Sequence, residues 1–437
     1  MPKPAFPEAP IDSIAGPLQK FIHTESASGA AILLAATIAL AIANSQIGPA
    51  FESFWTTTIG LQIGDKNWNY PLRHWINDGL VTLFFFVVGL EIKREIACGE
   101  LTSLRTAALP IAGAIGGMLV PAAIYLVLAT EPEAKSGWGV VMATDIAFVL
   151  GCMALLGRRL PNSLRIFVLA LAIIDDIGAI LVIAVGYSHG FHAIPFVGAV
   201  SGLGATALMQ WLGIRSVLAY WFVGLLTWAA LHESGVHPTI AGVALGLLTP
   251  TTPWVEQGRL QRFLEWARGS GLADRDQGRQ HDATSVKQTL ARATVESLAP
   301  QQRLEESLHP WSAFLILPLF ALANAGVTIS TTGASGSIAL ATMAGLVIGK
   351  PLGVFIFSFL AVRLGLAHKP EDTSWPMLLA AGSLCGIGFT MAIFIANLAF
   401  HDAALQSAKL GILLASVISA VVGIVALWML SKTEGTN

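Results

Sequence analysis

The 437-residue sequence predicts an all-α polytopic membrane protein of twelve transmembrane helices, built as inverted repeats, with the fourth and eleventh spans interrupted. Three observations carry that prediction. Hydrophobic residues make up 54% of the chain and charged residues only 12%, against about a quarter charged in soluble domains. The apolar residues fall in continuous runs whose lengths, about 16 to 25 residues, suit helices crossing about 30 Å of hydrocarbon. Two of those runs carry strings prone to unwinding near their middles, Ala143-Thr144-Asp145 and Gly386-Ile387-Gly388-Phe389-Thr390. The first two observations exclude a soluble globular enzyme. The unbroken runs also exclude a β-barrel, whose strands alternate apolar and polar residues. A formal charge of −2 gives nucleic acid no cationic surface to bind.

The elements follow in order. Met1 to Pro10 lacks a charged region leading directly into an apolar run, so no cleaved signal peptide is expected, and residues 1–26 read as a cytoplasmic segment. Span one covers 27–44. The stretch Leu61 to Tyr70 sets strand-like residues around Asp65-Lys66-Asn67 and reads as an exposed β-hairpin within 61–74. Spans two to six cover 75–92, 106–129, 137–156, 163–187 and 193–212. Spans seven and eight, 217–231 and 236–250, are short and meet at His232-Glu233-Ser234-Gly235. Residues 251–309 mix basic and acidic side chains with Gly, Ser and Gln, and read as a solvated cytoplasmic loop, partly helical or disordered. Spans nine to twelve cover 310–329, 338–362, 375–400 and 405–430, leaving 431–437 as a cytoplasmic tail.

With the N-terminus inside, twenty of the twenty-five basic residues fall in inside segments. Only Lys66, Arg73, Lys135 and Lys409 fall outside, and Lys350 lies within a span. The positive-inside rule therefore places both termini in the cytoplasm, with the long loop counted or omitted. The interrupted spans lie seven apart, an odd offset that reverses orientation. Broken helices at matching places in two inverted halves point to a transporter's binding site.

An ionisable group at the bilayer centre costs about 3 kcal/mol even on lenient insertion scales. Asp145, Asp175, Asp176 and Lys350 all lie near mid-span at similar depth. Three carboxylates against one amine leave negative charge that structural salt bridges alone do not neutralise, so protons or a cation must. Asp175 and Asp176 are adjacent on a helix and point about 100° apart. One of them can face a cation shared with Asp145 while the other turns to Lys350. Two carboxylates, the Thr144 hydroxyl and freed carbonyls would supply the oxygens that a small hard cation requires.

A second group lies at the cytoplasmic helix ends: Glu91, Arg94 and Glu95 close span two, and Glu305, Glu306 and His309 precede span nine. Solvated helix caps would account for most such charges. Glu91 differs because it follows an unbroken apolar run. His237, heading span eight, is either an interfacial histidine or a pH-responsive one. Enzyme motifs fail on spacing. His232 and His237 are five apart and cannot form the one-face zinc pair of H-E-x-x-H. Gly333-Ala334-Ser335-Gly336 lies in a polar loop rather than within a helix, as an intramembrane serine protease would need. No phosphate-cradling loop supports ATP-driven pumping, and Cys98, Cys152 and Cys385 are too few and too scattered for a disulfide framework.

The sequence resembles the NhaA family of sodium/proton antiporters from about Ser26 to Leu430. The matching strings are Gly89-Leu90-Glu91-Ile92-Lys93-Arg94-Glu95, Ala143-Thr144-Asp145-Ile146-Ala147-Phe148 and Ile174-Asp175-Asp176-Ile177-Gly178-Ala179-Ile180. Leu308-His309-Pro310-Trp311, Ala323-Asn324-Ala325-Gly326, Gly349-Lys350-Pro351-Leu352-Gly353 and the string from Cys385 to Thr390 complete the set. The resemblance implies that Asp176 is the central sodium and proton carrier, with Asp145 and Thr144 beside it where the broken helices, opened at Gly386 and Gly388, cross. It implies an Asp175–Lys350 pair that opens as the cation binds. It also implies that Glu91, Arg94, Glu95, Glu305 and His309 form a pH-response cluster, with His237 a pH-linked histidine. The resemblance further implies exchange of two inward protons for one outward sodium or lithium ion, no cofactor, and a homodimer held by the hairpin. A stretch around 262–300 departs from the pattern as an insertion, and Glu306 stands where histidine is usual.

The expected function is therefore electrogenic Na+(Li+)/H+ antiport in a bacterial inner membrane, with pH regulation and without enzymatic activity. The rival readings are a sodium-coupled solute symporter of similar fold and, from another class, an intramembrane protease.

Overall fold

The computed structural model describes residues 25–433 except 64–65, 189, 215, 254, 256–257, 260, 263–264, 266–292, 295 and 330–335. The N-terminal segment to residue 24, most of the 262–300 stretch, residues 434–437 and the Gly333-Ala334-Ser335 string lie outside them. Among the described residues, seven helices are long and apolar enough to cross a membrane, or up to nine if each of two bent pairs counts as one span. The protein is helical and polytopic. The seven long helices are α3 (Leu72–Cys98), α4 (Leu104–Leu128), α6 (Asn162–Gly186), α7 (Ala193–Trp211), α10 (Pro300–Asn324), α11 (Ser337–Arg363) and α14 (Asp402–Thr433). The bent pairs are α1 (Glu25–Ala43) with α2 (Gly48–Thr56), turned by 115°, and α12 (Trp375–Cys385) with α13 (Phe389–Ala399), turned by 49°. Three other apolar runs form short helices: α5 (Ile146–Leu156), α8 (Val217–Glu233) and α9 (Thr239–Leu248). Each falls below the roughly 20 residues of a full crossing, which is why length supports fewer spans than the sequence runs suggest.

Several elements differ in extent from the sequence reading, two of them at prolines. Helix α2 has only nine residues and no apolar run of spanning length, and Pro49 stands at its start, where a missing N–H costs nothing. Helix α10 begins at Pro300 and carries Pro310 inside it, so the helix reaches ten residues into the expected loop. Proline reads as a helix boundary in sequence, but here a π-helical turn at Ser312–Ile316 follows it and the helix continues. Two further π turns lie at Trp75–Leu80 in α3 and Gly345–Gly349 in α11.

The hairpin pairs β1 (Thr58–Ile63) with β2 (Lys66–Pro71) antiparallel, from Thr58 opposite Pro71 to Ile63 opposite Lys66. It starts before Leu61 and gives way to α3 at Leu72. Helix α6 runs through the middle of the molecule, buried from Leu164 to Ile183 along one face. Helices α4 and α11 approach most closely at Gly116 and Gly353, where a Cβ on either would collide with the other's backbone carbonyl. Small residues permit such backbone contact between helices in lipid. Helices α7 and α8 instead expose large apolar side chains such as Trp211, Leu218 and Phe222, a surface that suits hydrocarbon rather than water.

Candidate functional site

Two helix interruptions meet beside α6. In the first, a 3-10 turn at Ser136–Gly139 leads to non-helical backbone, and the helix resumes at Ile146 with Asp145 as its extended N-cap. In the second, α12 ends at Cys385 and α13 begins at Phe389. Glycine is required at the opening of that break: a Cβ on Gly386 would lie 2.5 Å from the Leu346 carbonyl oxygen of α11. Unwound backbone inside a membrane must find partners, and the two breaks supply them to each other. The Asp145 amide donates to the Ile387 carbonyl at 2.7 Å. The Thr390 amide donates to Asp145 Oδ2 at 3.0 Å, and its hydroxyl donates to the same oxygen at 2.5 Å. Asp145 Oδ1 accepts from the Phe148 amide at 3.3 Å.

Helix α6 brings the two adjacent aspartates to this junction in different circumstances. Asp175 is fully buried, and its Oδ2 lies 2.8 Å from the equally buried Lys350 Nζ. The Thr144 hydroxyl lies 2.8 Å from that oxygen and 3.0 Å from the Cys385 carbonyl. Lys350 is the first residue after the π turn of α11 and also donates to the Met142 carbonyl in the first break. Asp176 is 2% exposed, and among the described residues nothing hydrogen-bonds to its Oδ1. The negative charges of Asp175, Glu91 and Asp145 act on it, opposed by the more weakly felt charge of Lys350. Asp175 is thus matched to an ammonium and Asp145 to a ring of N–H and O–H donors. Asp176 is the carboxylate whose charge the protein leaves least compensated. A buried carboxylate in that position takes a proton or a cation.

The charged helix ends assemble separately. Arg94 pairs with Glu305 and approaches Glu95 at 3.8 Å, joining α3 to α10. The Gln301 amide donates to Glu305, its neighbour one turn along α10, and to the Leu90 carbonyl at 3.2 Å. Glu91 sits half-buried one turn before Glu95, while Glu306 and His309 are exposed on α10. His237 is not with them. It lies near the hairpin, buried, with Nδ1 2.8 Å from the Thr239 hydroxyl and Nε2 3.9 Å from Asp78 Oδ1. Asp78 and Glu91 are thirteen residues apart on α3, about 20 Å at 1.5 Å per residue. A cavity of about 410 Å³ opens beside His237, lined by His74, Asn77, Asp78, Phe394 and His401 among others.

Sequence reasoning missed six partners. Thr390, Gln301 and Asp78 carried signals: a hydroxyl at a helix restart, an i,i+4 pair with Glu305, and an acid inside an apolar stretch. The Met142, Cys385 and Ile387 carbonyls carried none, because every residue has one.

The sequence model of the family described as Na+/H+ antiporter 1 matches residues 19–427. A Na(+)/H(+) antiporter NhaA of Rhodopirellula baltica is 46% identical, over 98% of this chain and 97% of its own. That of Rhizobium meliloti is 47% identical over 98% of each chain. A Na(+)/H(+) antiporter NhaA 2 of Vibrio vulnificus is 45% identical, over 97% of this chain and 95% of its own.

Proposed function

The chain belongs to the Na+/H+ antiporter 1 family, a transporter rather than an enzyme, and on that premise we propose that Asp176 carries sodium and protons by turns. The observation that carries the proposal is the buried, unpartnered Oδ1 of Asp176 beside two broken helices. Sodium occupying Asp176, with Asp145 and the freed carbonyls as further oxygens, excludes the proton, and the proton excludes sodium. Asp175, Thr144 and Lys350 hold the frame, and the Asp175–Lys350 pair opens as the cation enters. The exchange is electrogenic, taking in more protons than the sodium or lithium ions it releases. Moving one net charge through 100 mV is worth about 2.3 kcal/mol, enough for an interior-negative potential to drive sodium out.

The same reading supplies the surroundings. The twelve apolar runs cross a bacterial inner membrane with both termini cytoplasmic, as the distribution of lysine and arginine supports, and the interrupted spans four and eleven cross at Gly386 and Gly388. The protein needs no cofactor. Glu91, Arg94, Glu95, Glu305 and His309 gate the cytoplasmic entrance by pH, with His237 responding on the other side. A homodimer forms through the hairpin, whose strands offer free edges for pairing.

Everted membrane vesicles test the central claim. Sodium added to vesicles with a pre-formed acidic interior should collapse the pH difference, faster when the potential is maintained. Sodium-dependent uptake of an organic solute without proton release would support the symporter instead.

A further inference from the structure

Away from the broken helices, the hairpin end of the molecule gathers three metal-ligating side chains. His74 and Asp78 lie four apart on α3, where the π turn Trp75–Leu80 sets their side chains side by side. His232, at the end of α8, faces them. His74 Nε2 lies 3.4 Å from His232 Nε2 and 3.6 Å from Asp78 Oδ2. One ligand atom from each of the three falls within 4.8 Å of the others. An ion with tetrahedral bonds of about 2.0–2.1 Å holds its ligands about 3.4 Å apart, so two of the three edges already have the length such an ion imposes.

The surroundings hold these side chains in place and leave a way in. Tyr70 of β2 stacks on the His74 ring at 4.3 Å between centroids, and Trp228 lies 5.7 Å from the His232 ring. All three ligands are half-buried rather than sealed, and His74 and Asp78 line the 410 Å³ cavity. Asp78 Oδ1 lies 3.9 Å from Nε2 of His237, itself fixed by Thr239, so a third imidazole stands behind the carboxylate.

We propose that His74, Asp78 and His232 form a binding site for a divalent transition cation of the zinc class, with the cavity side supplying the open fourth position. Two neutral imidazoles and one carboxylate match a borderline ion of small radius. They do not match calcium or magnesium, which require oxygens. Binding ties the start of α3 to the end of α8 at the hairpin face. The site shares no residue with the aspartate junction, so it stands or falls independently of the antiport reading.

Calorimetric titration of ZnCl2 into the full chain, purified in detergent without a histidine tag, tests this. One Zn2+ should bind per chain, while CaCl2 and MgCl2 give no saturable heat. His74→Gln and His232→Gln should each weaken binding by about tenfold or more, and exposed His368→Ala should leave it unchanged. Asp78→Asn, equal in volume, replaces either variant that does not elute as a single species. Absence of saturable Zn2+ binding by the parent, or parental affinity in either ligand variant, overturns the proposal. Equal binding of calcium at these residues overturns the assigned class.

Discussion

The aspartate junction and the charged cluster at the Arg94 end use the same residue types under opposite conditions. At the junction Asp175 and Lys350 have no exposed surface. At the other end Glu305 is buried but the Arg94 side chain is 44% exposed, so one partner of that pair shares its charge with solvent. A fully exposed pair is worth about 0–1 kcal/mol, orphaning one partner of a buried pair costs about 3–5 kcal/mol, and the half-buried Arg94–Glu305 pair falls between the two. The difference teaches that depth, not the count of charges, sets how much a residue can be asked to do. On the proposed reading the junction stores and releases an ion, and the half-exposed cluster biases access to it.

Substitutions would break or sharpen that contrast, and Asp176→Asn should have the largest effect. It removes the buried carboxylate whose Oδ1 has no hydrogen-bond partner among the described residues, so sodium-dependent exchange in everted vesicles should vanish. Stability without sodium should hold or rise, and thermal unfolding should no longer respond to added sodium. If Asp176→Asn keeps the sodium response and Asp175→Asn loses it, the roles of the two aspartates are reversed.

Asp175→Asn comes next. It leaves the Lys350 ammonium buried opposite a neutral amide, and a loss of about 3–5 kcal/mol is expected in denaturant or thermal unfolding. Lys350→Ala in that background should recover part of the loss by removing the orphaned charge. Thr390→Val is a smaller perturbation. It deletes one of the donors on Asp145 and should cost about 1–3 kcal/mol, with sodium affinity falling as the two breaks loosen. Glu305→Gln should be milder than Asp175→Asn, because the Arg94 it leaves behind is half-exposed to solvent, and should shift the pH profile of exchange with maximal rate largely kept. A pH profile that superimposes on the parent would make the cluster a set of solvated caps.

The contrast also explains what the sequence could disclose. A charge inside an apolar run is visible because hydrocarbon penalises it, so Asp145, Asp175, Asp176 and Lys350 stand out without a structure. Which aspartate meets the lysine was open on spacing alone, which shows only that neighbours point apart. The resemblance implied the pairing, and the structure places Lys350 against Asp175. Asp78 was as visible in principle, since it also interrupts an apolar stretch, but it lies close enough to the helix start to pass for a cap. The π turns left no trace in composition. They depend on how helices pack rather than on residue preference. Pro310 misled for a related reason: a proline ends a helix only where the missing hydrogen bond cannot be absorbed locally.

The mutual bonding of the two breaks also bears on how the chain is made. Thr144 reaches a carbonyl 241 residues later, and Asp145 accepts from a residue 245 later. Translation proceeds from the N-terminus, so the first break enters the bilayer long before its partners are synthesised. Until α12 and α13 arrive, an unwound backbone and a charged cap must be tolerated in a partly assembled bundle, where lipid offers no substitute donors. Joining such distant segments is intrinsically slow. The N-terminal half is therefore incomplete on its own, and the contacts of Thr144 and Asp145 close only once the last quarter of the chain has been threaded into place.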